Sequence, residues 1–234
     1  MHAFVNGADS LKVKICGITE KEDALTAVKL GADALGFIFA PSPRQISMEK
    51  ARRIINAIPP FVKTVGVFVN EEVAAIREHI NYCGLDLVQL HGDESPEFCR
   101  ALMPYSVKAF RIKDDSGLQM CAGYQEKVRA LLLDTYTKDK VGGTGKTFDW
   151  QLALKIKEAG IPVILSGGLG PSNIGAAINT VRPYAVDVNS GVEERPGKKS
   201  YRMMKTLMEK VERISKMNVQ HRTSNIEHPT SNVE

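Results

Sequence analysis

"IPVILSGGLGPSNIGAAINTV" (residues 161–181) decides how this chain folds. It begins with a short apolar run, the right length for a strand buried on both faces. A glycine-rich turn, "SGGLG", follows it. Pro171 and Ser172 then open a helix-length amphipathic stretch. One strand, one tight loop and one helix thus occupy 21 residues.

The same unit recurs along the chain. "VKICGI" (13–18) leads to "EKEDALTAVKLG", and "ALGFIF" (34–39) to "SMEKARRIINAI". "KTVGVFV" (63–69) precedes "EEVAAIREHINYCG", and "LDLVQLHG" (85–92) precedes "SPEFCRALMP". "SVKAFRI" (106–112) is followed by the poorly patterned "GLQMCAGYQEKV", and "ALLLDT" (130–135) by a loop and "FDWQLALKIKEAG". "YAVDVNSG" (184–191) ends the series, before a basic helix. Several helices start at Ser or Pro and stop at Gly31, Gly84 or Gly160, the expected capping asymmetry. Apolar strands alternating with helices predict a parallel sheet covered by helices. Eight repeats in about 200 residues predict a single (β/α)₈ barrel of the TIM type. A doubly wound open sheet is the alternative, but no G-x-G-x-x-G fingerprint follows the first strand. The predicted boundaries are a leader over 1–11, the barrel over 12–216 and a disordered tail over 217–234.

Composition sets further bounds. Of the 234 residues, 43% are hydrophobic and 25% charged, as in globular proteins. No apolar run approaches the roughly 18 residues a membrane span needs, and the N-terminus lacks the pattern of a secretory signal. Cys16, Cys83, Cys99 and Cys121 are widely spaced with no C-x-x-C, against a zinc site or disulfide framework. A reducing cytoplasm is the expected compartment. The net charge of +4 is concentrated in 198–216, which carries +5 while the remainder sums to −1. Met203, Leu207, Val211 and Ile214 give that segment an apolar stripe, so it reads as a packed helix with a solvated basic face. No nucleic-acid or membrane partner is expected. "HRTSNIE" (221–227) and "HPTSNVE" (228–234) form a seven-residue repeat with two changes, too poor in apolar surface to offset its ordering entropy.

In a barrel of this type the site lies at the C-terminal ends of the strands. Those ends hold Cys16, Arg44, Gln89 with His91, Arg111, Asp134, Ser166-Gly167-Gly168, and Asp187 with Ser190-Gly191. Small residues in the last two loops suit a phosphate bound by backbone N–H groups, and they equally suit plain turns. Cys16 is either an inert buried thiol or a functional one at the mouth. Asp134, following three leucines, either caps its loop or is held protonated by burial and acts as an acid. Asp187 carries the same two readings. His91 suits acid–base work or a hydrogen bond to a neighbouring loop.

"GGTGKTFDW" (142–150) resembles the end of a nucleotide-binding P-loop. That motif needs a glycine at position 140, where this chain has Lys140, and a strand leading directly into the loop. The glycines Gly142, Gly143 and Gly145 instead predict a lid that closes over the site after the Asp134 strand.

The ordered set "KICGI", "GFIFAPSPRQIS", "VGVFVN", "VQLHGDE", "LLLDT", "GGTGKTFDW", "LSGGL" and "VDVNSGVEERPGKKS" strongly resembles the phosphoribosylanthranilate isomerase family over residues 12–212. The resemblance implies a (β/α)₈ barrel that performs an Amadori rearrangement on a small phosphosugar in tryptophan biosynthesis. It implies Cys16 as general base and Asp134 as general acid. Arg44 would hold the anthranilate carboxylate, while Gln89, His91 and Asp187 would line the pocket. Gly167, Gly168, Ser190 and Gly191 would take the phosphate. The oxidation change is internal to the substrate, so neither metal nor other cofactor is expected. Cys16 and Asp134 at the mouth distinguish the chain from metal-dependent epimerases and from the lysine- and glutamate-based indole-glycerol-phosphate synthases. The histidine-pathway barrels that share the rearrangement pair two aspartates instead. The oligomeric state is open between monomer and homodimer.

Overall fold

The computed structural model describes residues 11–111, 120–134, 150–158 and 160–226. Parallel strands close into a barrel in chain order: β1 (Lys12–Ile15), β2 (Ala34–Ile38), β3 (Lys63–Phe68), β4 (Leu87–Leu90), β5 (Ser106–Arg111), β6 (Ala130–Asp134), β7 (Val163–Ser166) and β8 (Ala185–Val188). The seam is β1 on β8, where Lys14 stands opposite Asp187. This pairing realises the expected barrel and removes the open-sheet alternative.

The described helices are α1 (Lys21–Lys29), α2 (Met48–Ile55), α3 (Val73–Cys83), α4 (Pro96–Ala101), α5 (Trp150–Glu158), α6 (Ile174–Val181) and α7 (Tyr201–Ile226). Their ends follow the sequence. The Ser47 side chain accepts from the Lys50 N–H at the start of α2, and Ser95 accepts from the Phe98 N–H at the start of α4. Gly84 ends α3 with φ of 74°, in the left-handed region that glycine enters without strain. Helix α7 continues past residue 216, where the sequence reading placed the end of the barrel. The leader residues 1–10, the proposed lid glycines Gly142, Gly143 and Gly145, and the last eight residues lie outside the described residues.

Alternation along the strands sorts the side chains into two shells. Val13, Ile15, Leu35, Phe37, Leu131, Leu133, Leu165, Val186 and Val188 face the helices and belong to the main core. Inside the barrel, Val107, Ala109, Ala130 and Leu132 form a separate small cluster against Leu87 and Ile164. Asp134 shares the inward parity of Ala130 and Leu132, so it sits above this apolar floor. On the other side, the buried residues Lys14, Gln89 and Asp187 make the interior polar.

One buried ion pair outside the barrel bore shapes the site from beneath. Lys108 Nζ donates to Glu94 Oε2 at 2.9 Å and to the carbonyls of Leu90 and Gly92 at 3.2 and 2.6 Å, on either side of His91. Glu94 also accepts from the Asn70 and Gly92 N–H groups. Both charged side chains are almost wholly buried, at 2% and 1% exposure. Burial alone would push the Glu94 carboxyl up, but the Lys108 and backbone hydrogen bonds hold it below the usual carboxylate range. Lys108→Met would strand that carboxylate, so it is expected to destabilise the fold by about 3–5 kcal/mol. Adding Glu94→Gln should restore much of the loss. Urea unfolding of the two variants checks both expectations.

Candidate active site

Cys16 follows β1 directly and is buried, with its N–H donating to the Val188 carbonyl across the seam. Room for the thiol comes from β2. A Cβ built on Gly36 would stand 2.6 Å from Cys16 Sγ and 3.1 Å from Lys14 Cε. The glycine of "ALGFIF" is therefore a gap into which two inward side chains pack.

Lys14 is the centre of a polar cluster. Its ammonium lies 3.0 Å from Asp187 Oδ2 and donates to Gln89 Oε1 at 2.8 Å. Its side chain shares the Gly36 gap with the Cys16 thiol. Burial works against its charge, but Asp187 and Cys16 more than offset this and hold Lys14 above the ordinary lysine value. Burial pushes the Cys16 thiol up. Lys14 and Lys199 draw it down and Asp187 opposes them, and the thiol stays above its ordinary value.

A relay crosses the barrel from this lysine. An ammonium has only hydrogens to offer, so Gln89 must turn its oxygen toward Lys14. Gln89 Nε2 then donates to His91 Nδ1 at 3.0 Å. The ring proton of a neutral His91 consequently sits on Nε2. That nitrogen faces Asp134 Oδ2 at 3.4 Å, close enough for attraction but outside hydrogen-bond geometry. Asp134 ends β6 with its side chain 20% exposed, so it stands at the mouth above the apolar floor. Among the described residues, the buried side-chain polar atoms without a hydrogen-bond partner are His91 Nε2 and Asp187 Oδ1.

A second cluster covers Cys16 from the β8 side. Arg44 lies beyond β2, and its Nε and Nη2 grip both carboxylate oxygens of Glu193 at 2.7–3.0 Å. Glu193 opens a small hairpin, β9 (Glu193–Arg195) with β10 (Lys198–Lys199). Lys199 Nζ donates to Glu193 Oε1 at 2.8 Å and to Asn189 Oδ1 at 3.1 Å. Asp23 of α1 anchors the hairpin by accepting from Lys198 Nζ and the Lys199 N–H. The arginine expected to hold a substrate carboxylate is thus already forked onto a protein carboxylate, with Nη1 outside that pair.

The loops after β7 and β8 meet. Gly167 and Gly168 have φ of 93° and 61°, and any Cβ on Gly191 would clash with the Leu169 carbonyl oxygen. Asn173 fastens the first loop by donating to the Gly168 carbonyl and accepting from the Gly170 N–H. Ser190 begins the one-turn 3₁₀ helix Ser190–Val192 in the second loop. All four residues assigned to phosphate binding therefore lie on two loops that touch at one end of the barrel.

The structure brings Cys16, Gln89, His91, Asp134 and Asp187 to the strand ends, with Arg44 close by. Sequence reasoning missed Lys14, Asn189, Glu193 and Lys199. Lys14 had a signal, since in "VKICGI" it shares the parity of Cys16 in an otherwise apolar strand. Glu193 and Lys199 pair with residues far away in the chain, and no local pattern announces that.

Comparison with known proteins finds relatives over most of the chain. The family model for N-(5′-phosphoribosyl)anthranilate (PRA) isomerase matches residues 13–210. The chain is 54% identical over 190 residues to the N-(5′-phosphoribosyl)anthranilate isomerase of Geobacter metallireducens, covering 81% of this chain and 93% of the relative. It is 46% identical over 215 residues to that of Moorella thermoacetica, covering 92% and 96%. Its structure resembles the crystal structure of phosphoribosyl anthranilate isomerase from Thermotoga maritima, with a TM-score of 0.80 and 47% identity, over 86% of this chain and 98% of the other. A phosphoribosyl anthranilate isomerase solved with reduced 1-(o-carboxyphenylamino)-1-deoxyribulose 5-phosphate matches at a TM-score of 0.78 and 44% identity, over 86% and 98%.

The Arg44–Glu193–Lys199 cluster carries a pH signature. Burial would raise the Glu193 carboxyl, but hydrogen bonds from Arg44 and Lys199 hold it below its ordinary value. The stability it contributes is complete above the ordinary glutamate pKa of about 4.3 and is lost as pH falls through the lower folded value. Glu193→Gln should therefore lower the thermal midpoint at neutral pH. The gap to the parent protein should close as pH falls below about 4, which calorimetry across pH 3–7 would follow.

Proposed function

The chain belongs to the N-(5′-phosphoribosyl)anthranilate isomerase family, and we propose that Cys16 and Asp134 are the base and the acid of its reaction. The enzyme converts N-(5′-phosphoribosyl)anthranilate into 1-(2-carboxyphenylamino)-1-deoxyribulose 5-phosphate in tryptophan biosynthesis. One observation carries the assignment of the site. A folded chain rarely leaves buried polar atoms without partners, yet among the described residues His91 Nε2 and Asp187 Oδ1 are such atoms. His91 Nε2 lies beside Asp134, and Asp187 is on β8 next to the strand that leads to Cys16, where a ligand rich in hydroxyl and amino groups would meet them.

The chemistry follows from the residue types. Asp134 gives a proton to the furanose ring oxygen while the anilino nitrogen pushes the ring open to an iminium. The iminium acidifies the C2′ proton, and the Cys16 thiolate takes it. The enolamine that remains gains a proton at C1′ while its C2′ hydroxyl gives one up, which leaves the ketone at C2′. Asp187 Oδ1 accepts from the substrate's amine or hydroxyl, and the His91 Nε2–H donates beside Asp134. Gly167, Gly168, Ser190 and Gly191 hold the phosphate, where two backbone loops meet with little side chain between them. Arg44 meets the anthranilate carboxylate through Nη1 or by exchanging Glu193 for it. Four unpaired cysteines support a reducing cytoplasm as the compartment.

We also infer a homodimer. A matched Thermotoga maritima isomerase is described as dimeric. Phe61 is 96% exposed two residues before β3, and Tyr105 and Tyr184, 38% and 50% exposed, directly precede β5 and β8. All three lie at the N-terminal ends of the strands, opposite the site, where exposed aromatic side chains suit a second copy.

Two experiments test these readings. Fluorescence should follow the consumption of phosphoribosylanthranilate, generated in place from anthranilate and phosphoribosyl pyrophosphate. Cys16→Ala and Asp134→Ala should each lower kcat by at least about a hundredfold, the usual scale of a lost acid or base. Turnover retained in either variant would remove that residue from its role. In sedimentation, Phe61→Asp should halve the mass of the particle while the barrel keeps its isomerase activity.

A further inference from the structure

The assigned roles use Cys16 as a base but leave its lysine neighbour without a task. Lys14 is buried in a strand interior, where it makes an ion pair to Asp187 and a hydrogen bond to Gln89. Its side chain also shares the gap left by Gly36 with the Cys16 sulfur, since a Cβ there would stand 3.1 Å from Lys14 Cε and 2.6 Å from Cys16 Sγ. A lysine kept there solely for stability is hard to explain, because a buried ion pair contributes little over an apolar pair of similar volume. Its contacts reach both ends of the site. One arm faces the base, and the other runs through Gln89 and His91 to the acid.

We propose that Lys14 is the positioning residue of this active site: its ammonium stabilises the Cys16 thiolate and, by fixing the Gln89 amide, holds His91 as the Nε2–H tautomer facing Asp134. The inference rests on the isomerase reading for its purpose and on geometry for its substance. The charged groups around the thiol are Lys14 of β1, Asp187 of β8, Lys199 of β10 and Arg44 beyond β2. Lys199 and Arg44 are each engaged by Glu193, and Lys14 is the cation whose side chain packs beside the sulfur in the Gly36 gap. Asp187 anchors the ammonium through Oδ2 and keeps Oδ1 for the substrate. In the proton balance, the resting thiol loses its proton to solvent while Lys14 remains an ammonium. The thiolate then takes the C2′ proton, and the electron pair of the C–H bond passes into the enolamine. Lys14 neither gains nor loses a proton. Its part is to make the thiolate more populated than burial alone would allow.

Iodoacetamide alkylation, quantified at the Cys16 peptide by mass spectrometry across pH, tests this without any substrate. It reads the thiolate directly. An opposite charge at this range moves a titration by about 1–3 pH units. Lys14→Met should therefore shift the Cys16 profile to higher pH and slow its alkylation at least about tenfold below the parent midpoint. Lys14→Arg, which keeps the charge, should recover most of the rate. If Lys14→Met does not fold, Lys14→Met/Asp187→Asn is compared with Asp187→Asn alone and read in the same way. ¹⁵N NMR of His91 reads the other arm, and Lys14→Met should raise the Nδ1–H tautomer at the expense of Nε2–H. A Cys16 profile that superimposes on the parent's, or a His91 tautomer that does not move, overturns the proposal. Because neither readout involves turnover, failure of the isomerase assay and failure of this inference are seen separately.

Discussion

A lysine and an aspartate meet where the barrel closes, and much of the molecule follows from that meeting. Lys14 and Asp187 are register partners across the β1–β8 seam. Strand side chains alternate with a period of two, so a slip of one residue in either strand would turn its ion out among the aliphatic side chains beneath the helices and leave the other ion alone in the bore. Such a slip would bury two unpaired charges, one in place of Val13 or Val186, and is strongly disfavoured. The pair therefore specifies the closure register even where its net contribution to stability is small.

The bore of the barrel is divided by polarity. Near β5, β6 and β7 it is filled by Val107, Ala109, Ala130, Leu132 and Ile164. Near β1, β4 and β8 it is filled by Lys14, Gln89 and Asp187. Cys16 stands over the polar half and Asp134 over the apolar half. A low-dielectric floor strengthens the electrostatic contacts above it, and the polar half supplies the only buried charges of the bore to which those contacts are referred among the described residues. The Arg44–Glu193–Lys199 cluster lies outside this bore and closes the mouth from the side, held down by Asp23.

Much of this was legible in the sequence, for identifiable reasons. Strands and helices were visible because their periods are local, and the strand ends exposed Cys16, Asp134 and Asp187 as soon as the barrel was recognised. What escaped were residues whose partners are distant in the chain. Nothing near Glu193 indicates that it faces Arg44, 149 positions earlier. Asp23 reads as an ordinary charge in the first turn of a helix, yet it is buried against Lys198 and the Lys199 N–H, 175 and 176 positions later. Asp134 ends β6, but its 20% exposure is a property of the folded mouth that no local pattern carries. The last helix outruns its amphipathic stripe because a helix, once nucleated, extends at small cost per residue.

The seam also orders events during synthesis. Lys14 and Cys16 are made first, while Asp187 follows Lys14 by 173 residues. At translation rates of roughly 5–20 residues per second, that interval is about 9–35 s. Through it the nascent first strand has no eighth strand to pair with, and its lysine and thiol are solvated groups of ordinary acidity. The chemical character of Cys16 thus belongs to the finished chain rather than to its own neighbourhood, and a ribosome that stalls before β8 leaves a harmless thiol rather than a half-built catalyst.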